Sequence, residues 1–105
     1  MANARIVLTT AGSVDEARKL AWALVENRLA ACVNVVPQVE SVYRWQGKVE
    51  SAGEWLLVIK TMAGSFPGVK ATIEALHSYE LPECLVVDVS DGDQEYLDWI
   101  AGSVD

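Results

Sequence analysis

The chain has 105 residues, 51% of them hydrophobic, and a formal net charge of −7. That length suits a single domain over residues 1–105, with apolar side chains enough for one core. The excess of acid argues against nucleic acid as a partner, and no apolar run approaches the ~20 residues of a membrane span.

The N-terminal stretch shows no basic segment followed by an apolar run and a cleavage site. No export signal is therefore expected, and the protein is expected in the cytoplasm. Cys32 and Cys84 lie far apart and belong to no CxxC pair. They read as reduced, buried thiols rather than a disulfide framework. The acids are unevenly placed: from Ala71 onward there are nine Asp and Glu and no Lys or Arg. Such a surface concentrates cations, although a solvated face that maintains solubility is the plainer reading.

Ala4 to Thr10 reads as a short buried strand, broken by Ala11-Gly12. Ser13-Val14-Asp15-Glu16 has the form of a capping box, in which Ser13 bonds the third helical amide and Glu16 reaches back. A helix follows to about Arg28, with Val14, Ala17, Ala21, Leu24 and Val25 on one face. Trp22 falls off that face and is expected at a subunit contact or a strand edge, with a ligand platform as the alternative. Then comes a long hairpin. Its strands run roughly from Ala31 to Trp45 and from Lys48 to Thr61, rich in β-branched and aromatic residues. Gln46-Gly47 is the two-residue turn. Pro37 cannot donate to a ladder and marks an edge position or a bulge. Ser51-Ala52-Gly53 weakens the return strand and suggests a bulge opposite it.

From Trp55 to Ile59 the chain is apolar on both faces, so both should be covered. Ala63 to Gly68 is a loop. A second helix runs from Pro67 or Gly68 to His77, with Val69, Ile73 and Leu76 as its apolar stripe. Ser78 to Glu83 is a turn containing Pro82, and Cys84 to Val89 is a fourth strand. Asp91-Gly92-Asp93 resembles the start of a calcium loop but lacks the remaining ligands, so it reads as the cap of a third helix, Gln94 to Ala101. Tyr96, Leu97 and Ile100 should face inward there.

The order β-α-β-β-α-β with an added C-terminal helix is the split βαβ, ferredoxin-like α+β arrangement. It implies a four-stranded antiparallel sheet with helices on one face. The hairpin is too long for that body. A strand of about 15 residues spans roughly 50 Å, whereas a compact domain of this length is only about 33 Å across. An isolated two-stranded arm is marginal in water, and its edges invite another chain. Pairing with a neighbouring subunit is expected, unless Pro37 and Gly53 bend the arm back.

The segments RLAACVNVVPQVESVYRWQGKVE from Arg28, EWLLVIKT, HSYELPE and YLDWI, in this order and spacing, resemble the CutA divalent-cation tolerance family. The resemblance covers nearly the whole chain and is most specific from Arg28 to Gly47. It implies a ferredoxin-like homotrimer whose long hairpins form intersubunit sheets. It also implies a cytosolic protein linked to tolerance of copper and other divalent cations, with no organic cofactor. Two departures stand out. Family members often carry His-Pro-Tyr where this chain has His77-Ser78-Tyr79. Some carry a Cys and a second His, proposed as copper ligands, where this chain has Thr9 and Leu76; neither replaces a soft donor.

His77 is the only histidine. A helix C-terminus favours its cation, and imidazole ligates metals. With Cys32 it is the candidate site for copper or another divalent cation, and Cys84, Glu54, Glu80 and Glu83 are further donors. One imidazole is not a site, and closing the turn is the alternative role. Tyr43, Trp45, Glu54, Lys60, Tyr79 and Glu83 form a second constellation. Converging between subunits, they would make an amphipathic cleft of the small-ligand kind. Lys60 paired there with Glu54 or Glu83 would be an anion site or an ion pair. There is no nucleophile elbow, phosphate loop or zincin helix, and thiols in apolar strands are usually inert, so catalysis is not expected. Three classes of function remain: a trimeric metal-responsive protein that binds cations weakly, a PII-like signalling or scaffold trimer with a small ligand or partner protein in the cleft, and an enzyme using that cleft.

Overall fold

A computed structural model of the chain describes residues 3–105; the expectation about a leader rests in part on Met1 and Ala2, outside them. The elements are β1 (Ala4–Ala11), α1 (Val14–Glu26), β2 (Cys32–Trp45), β3 (Lys48–Met62), a 3-10 turn (Ala63–Ser65), α2 (Phe66–Leu76), β4 (Leu85–Asp88) and α3 (Gln94–Ser103). All strand pairs are antiparallel, in the order β2-β3-β1-β4. This is the ferredoxin-like α+β arrangement expected from the element order.

The hydroxyl of Ser13 accepts from the Glu16 amide at 3.2 Å and opens α1 as a cap should. The other half of the expected box is not made. Glu16 instead accepts from the amide and hydroxyl of Ser78, so its carboxylate ties α1 to the chain after α2. Ala17, Leu20 and Leu24 form the buried stripe of α1; of the expected face Val14 and Ala21 are half-buried and Val25 is exposed, while Leu20 joins it. Trp22 is 66% exposed. α1 and the Val69 and Ile73 side of α2 cover one sheet face, joining Val7, Leu57 and Ile59 in the main core.

α3 lies on the opposite face, where Leu97 and Ile100 meet Ile6 and Lys60. Leu97 and Ile100 are buried, but Tyr96 is not: it turns outward and stacks on Trp99 with ring centroids 5.4 Å apart. Turns of 100° per residue put only 97 and 100 squarely on the sheet. α3 covers one end of its face only. Val36, Leu85 and Val87 share that face by strand register and remain exposed.

β1 stops at Ala11, opposite Trp55. Beyond that point, among the described residues, the hairpin is a free two-stranded arm running from the Val39–Glu54 pair to the Trp45–Lys48 pair. Gln46 and Gly47 turn it with φ of 51° and 82°, both left-handed as a two-residue hairpin turn requires. The arm is not folded back, and the molecule measures 44 × 25 × 22 Å. The bulge is on β2, not opposite it. Ser51, Ala52 and Gly53 pair regularly, whereas Pro37 and Gln38 together face Trp55, between the Val36–Leu56 and Val39–Glu54 pairs. Pro37 has no N–H to donate, so the ladder yields on its own strand. Gln38 takes φ of 61° to close the kink.

Thr9 is fully buried, and its hydroxyl has no hydrogen-bond partner among the described residues. An orphaned buried hydroxyl costs more than a methyl of the same shape. Thr9→Val is therefore expected to stabilise the fold by about 1 kcal/mol, read as a melting midpoint roughly 4 °C higher. An unchanged or lower midpoint would show that the hydroxyl is satisfied in solution.

Candidate functional site

The bulge sets the phase of the arm. On its core side, even-numbered residues of β2 share a face with Leu56, Val58 and Lys60; past it, odd-numbered ones share that same face with Glu54 and Glu50. One extra residue turns every later side chain over. Ser41, Tyr43 and Trp45 are thereby aligned with Glu50 and Glu54. In a regular ladder they would point to the opposite side.

The second wall is the segment after α2, pinned by His77. The His77 side chain is fully buried. Its Nε2 donates to the Thr10 carbonyl at 2.6 Å, and its Nδ1 accepts from the Tyr79 amide at 3.0 Å, so both ring nitrogens are engaged. Glu16 Oε1 lies 3.3 Å from Nδ1. Held over the end of β1, Tyr79 reaches past Gly12 and donates its hydroxyl to Glu54 Oε2 at 2.6 Å. A Cβ on Gly12 would stand 2.9 Å from that hydroxyl, so glycine keeps the passage open.

Between these walls is a cleft of about 640 Å³. Thr10, Ser41, Tyr43, Trp45, Glu50 and Glu54 line it from the sheet, and Tyr79, Glu80, Leu81 and Glu83 from the other side. Glu54 is 6% exposed. Burial first, then the bond to Glu54 and its charge, push the Tyr79 hydroxyl far above its ordinary range, so it stays a donor at any working pH. Burial and then the charge of Glu54 raise the Glu83 carboxyl above 4.5. At the adjoining corner, burial also works upward on Glu16. The Ser78 amide and hydroxyl, then His77 and Lys19, more than offset it and hold that carboxyl below 4.5.

Of the six residues expected to converge between subunits, Tyr43, Trp45, Glu54, Tyr79 and Glu83 line this cleft within one chain. Lys60 does not. It pairs with Ile6 where Leu56 pairs with Thr10, four residues and roughly 13 Å along the strand. There it donates to Asn34 Oδ1, with Cys32 Sγ at 4.0 Å. No Lys60–Glu54 or Lys60–Glu83 pair forms within the chain. Cys32 and His77 likewise sit at opposite ends of the sheet. Among the described residues, no group of three His, Cys, Asp or Glu is placed to hold a metal. A metal on either His77 nitrogen would displace a hydrogen bond. Both cysteines are free and half-buried. Burial pushes the Cys84 thiol up, with Lys70 pulling against it. Asp93 caps α3 through the Tyr96 amide at 3.0 Å, and Asp91 accepts from Gly92.

Glu50, Ser41 and Thr10 escape the residue-type reading of the sequence. Glu50 had a signal: counting outward from the Gln46-Gly47 turn pairs it with Tyr43. Gly12 and Glu16 had none, because their partners Tyr79 and Ser78 are distant in sequence.

A split βαβ sheet with an arm that outreaches it, and a cleft at the root of that arm, defines a ferredoxin-like protein whose cleft is built on its β2–β3 hairpin. Residues 5–103 match the CutA1 divalent ion tolerance protein family; the chain belongs to that family, as the hairpin motif implies. It is 50% identical over 95 residues to the divalent-cation tolerance protein CutA of Thermus thermophilus, covering 90% of this chain and 92% of that one. It is 40% identical over 98 residues to the chloroplastic protein CutA of Arabidopsis thaliana, spanning 93% of this chain but 54% of that protein. The solved structure of the Thermus thermophilus divalent cation tolerance protein superposes with a TM-score of 0.95 at 46% identity, covering 97% of this chain and 99% of that one.

The Glu83 shift gives a signed pH dependence. A carboxyl whose folded pKa is raised loses stability as pH climbs from its unfolded value, 4.5, through the folded one. Glu83→Gln removes that loss. The variant is expected to match the parent below pH 4.5 and to exceed it at neutral pH by about 1 kcal/mol or less after solvent screening. Urea midpoints measured across that range check it; a neutral-pH midpoint below the parent's would mean that Glu83 is paired with a cation.

Proposed function

We propose that this chain works as a cytoplasmic homotrimer in divalent-cation tolerance, copper included. Cation binding is weak and non-catalytic. The observation that carries the assembly is the free arm: Val42 and Val49 are 66% and 65% exposed on a ribbon with no third strand beside it among the described residues. Such edges and apolar faces are covered by strands of other copies. Membership of the family supports the tolerance role, and the acid-rich final third supplies a surface that gathers cations.

His77 and Cys32 act apart in this reading. A copper ion on His77 must displace the bond to Thr10 or Tyr79, which keeps affinity low: one lost hydrogen bond is worth about 1 kcal/mol, or roughly fivefold. A second reading, a PII-like trimer that takes a small ligand or partner protein in the cleft, is favoured by the convergence of Tyr43, Trp45 and Tyr79 around Glu54 and Glu83.

Sedimentation equilibrium is expected to give the mass of three copies. Titration with Cu²⁺ is expected to show uptake stronger than that of an unrelated protein of equal net charge, and weakened in His77→Ala. A stable single chain would remove the assembly. Uptake no stronger than the control, and unchanged in the variant, would remove the copper role.

A further inference from the structure

The C-terminal ends of α1 and α3 meet at one side chain. Arg28 stands just past α1, where the Leu29 amide bonds back to the Leu24 carbonyl at 2.9 Å and the Arg28 amide to the Val25 carbonyl at 3.1 Å. That closing pattern needs a left-handed residue and is usually built on glycine. Arg28 adopts it with φ of 57°, at a conformational cost that glycine would not carry. Its side chain offsets the cost. Nε donates to Asp105 Oδ1 at 2.8 Å, and Nη2 to the Gly102 carbonyl at 3.2 Å. The backbone joins in: the Asp105 amide donates to the Arg28 carbonyl at 3.0 Å, and the buried Ser65 hydroxyl to the backbone oxygen of Asp105 at 3.4 Å.

α3 needs such a fastening. No Lys or Arg follows Lys70 in the sequence. The carbonyl end of α3 therefore has no cation of its own and takes the Arg28 guanidinium from 74 residues earlier. A helix of 10 residues is not stable in isolation, and within the chain α3 buries only Leu97 and Ile100. A pocket of about 260 Å³ remains beneath it, lined by Ile6 and Lys60 on the sheet and by Leu97 and Ile100 on the helix. α1 and α2, by contrast, are joined through Leu20, Leu24, Val69 and Ile73 in the main core. Elements with few buried contacts open locally, ahead of the rest of a fold.

We propose that Arg28 and Asp105 form a latch that holds α3 on the sheet, and that α3 opens as its own unit when the latch is undone. Opening lifts Leu97 and Ile100 away from Ile6 and leaves the α1–α2 core and the hairpin arm in place. The latch shares no residue with the cleft or with the His77 corner, and does not depend on what either binds.

Hydrogen exchange of the assembled protein, read by mass spectrometry over α1, α2 and α3, tests it. Asp105→Ala leaves the closing turn of α1 untouched. It is expected to speed exchange of the α3 amides about three- to tenfold, the range of a charge-assisted bond at a partly exposed site, with α1 and α2 unchanged. Arg28→Gly is expected to separate the two helices. α3 exchanges faster to a similar extent, whereas the end of α1 exchanges no faster than in the parent, because glycine suits its closing residue. The two changes together are expected to speed α3 by less than the product of their single effects, since both remove the same ion pair. Added salt is expected to speed α3 exchange in the parent and not in Arg28→Gly. Unchanged α3 exchange in Asp105→Ala would remove the latch. Acceleration spread equally over α1, α2 and α3 would make them one cooperative unit and overturn the proposal as well. Asp105→Ala alters one exposed side chain, so the comparison holds even if Arg28→Gly does not fold.

Discussion

A single surplus residue in β2 governs what the rest of the arm can do. Pro37 has no hydrogen to give the ladder, and Gln38 adopts a left-handed φ of 61° to restore pairing beyond it. That conformation costs a non-glycine residue roughly 1–2 kcal/mol. In return the side chains beyond it exchange faces. The core side of the strand keeps Val33 and Val35 under the helices. The arm side presents Tyr43 and Trp45 on the face of Glu50 and Glu54. A straight ladder would have delivered Val42 and Arg44 to that face instead.

The second constraint is the corner at the end of β1. Thr10, Glu16, His77, Ser78 and Tyr79 come from three separate stretches and are joined by hydrogen bonds that leave no ring nitrogen of His77 idle. The histidine therefore acts first as a fastening. It fixes Tyr79, and Tyr79 fixes Glu54. The consequence is a cleft with its negative charge held in place, one oxygen of Glu54 accepting from Tyr79. The Cys32–Asn34–Lys60 group lies at the other end of the sheet.

Much of this was legible in residue order. The Gln46-Gly47 turn, the Ser13 and Asp93 caps, the Val69–Ile73 stripe and the excess length of the hairpin each rest on a local signal, and each is present. Pro37 marked an edge or a bulge, and the extra residue sits at Pro37-Gln38 on its own strand. The weak stretch Ser51–Gly53 misdirected that reading because small residues tolerate a regular ladder as readily as a kinked one. Val25 and Tyr96 looked buried by helical spacing, yet the stripe that a helix buries is only as wide as the surface it lies on. Lys60 was grouped with a cleft between subunits; within one chain, register places it four residues along β3 from Leu56. Glu16 satisfied a local motif and then made a different, long-range bond.

The account stands or falls on the register of the hairpin. Cross-strand amide and Hα contacts measured by NMR along β2 and β3 test it most directly. The structure predicts Asn34 opposite Val58 on the core side and Tyr43 opposite Glu50 on the arm. Tyr43 opposite Val49, with one unbroken register from Asn34 to the turn, would turn Tyr43 and Trp45 away from Glu54 and contradict it.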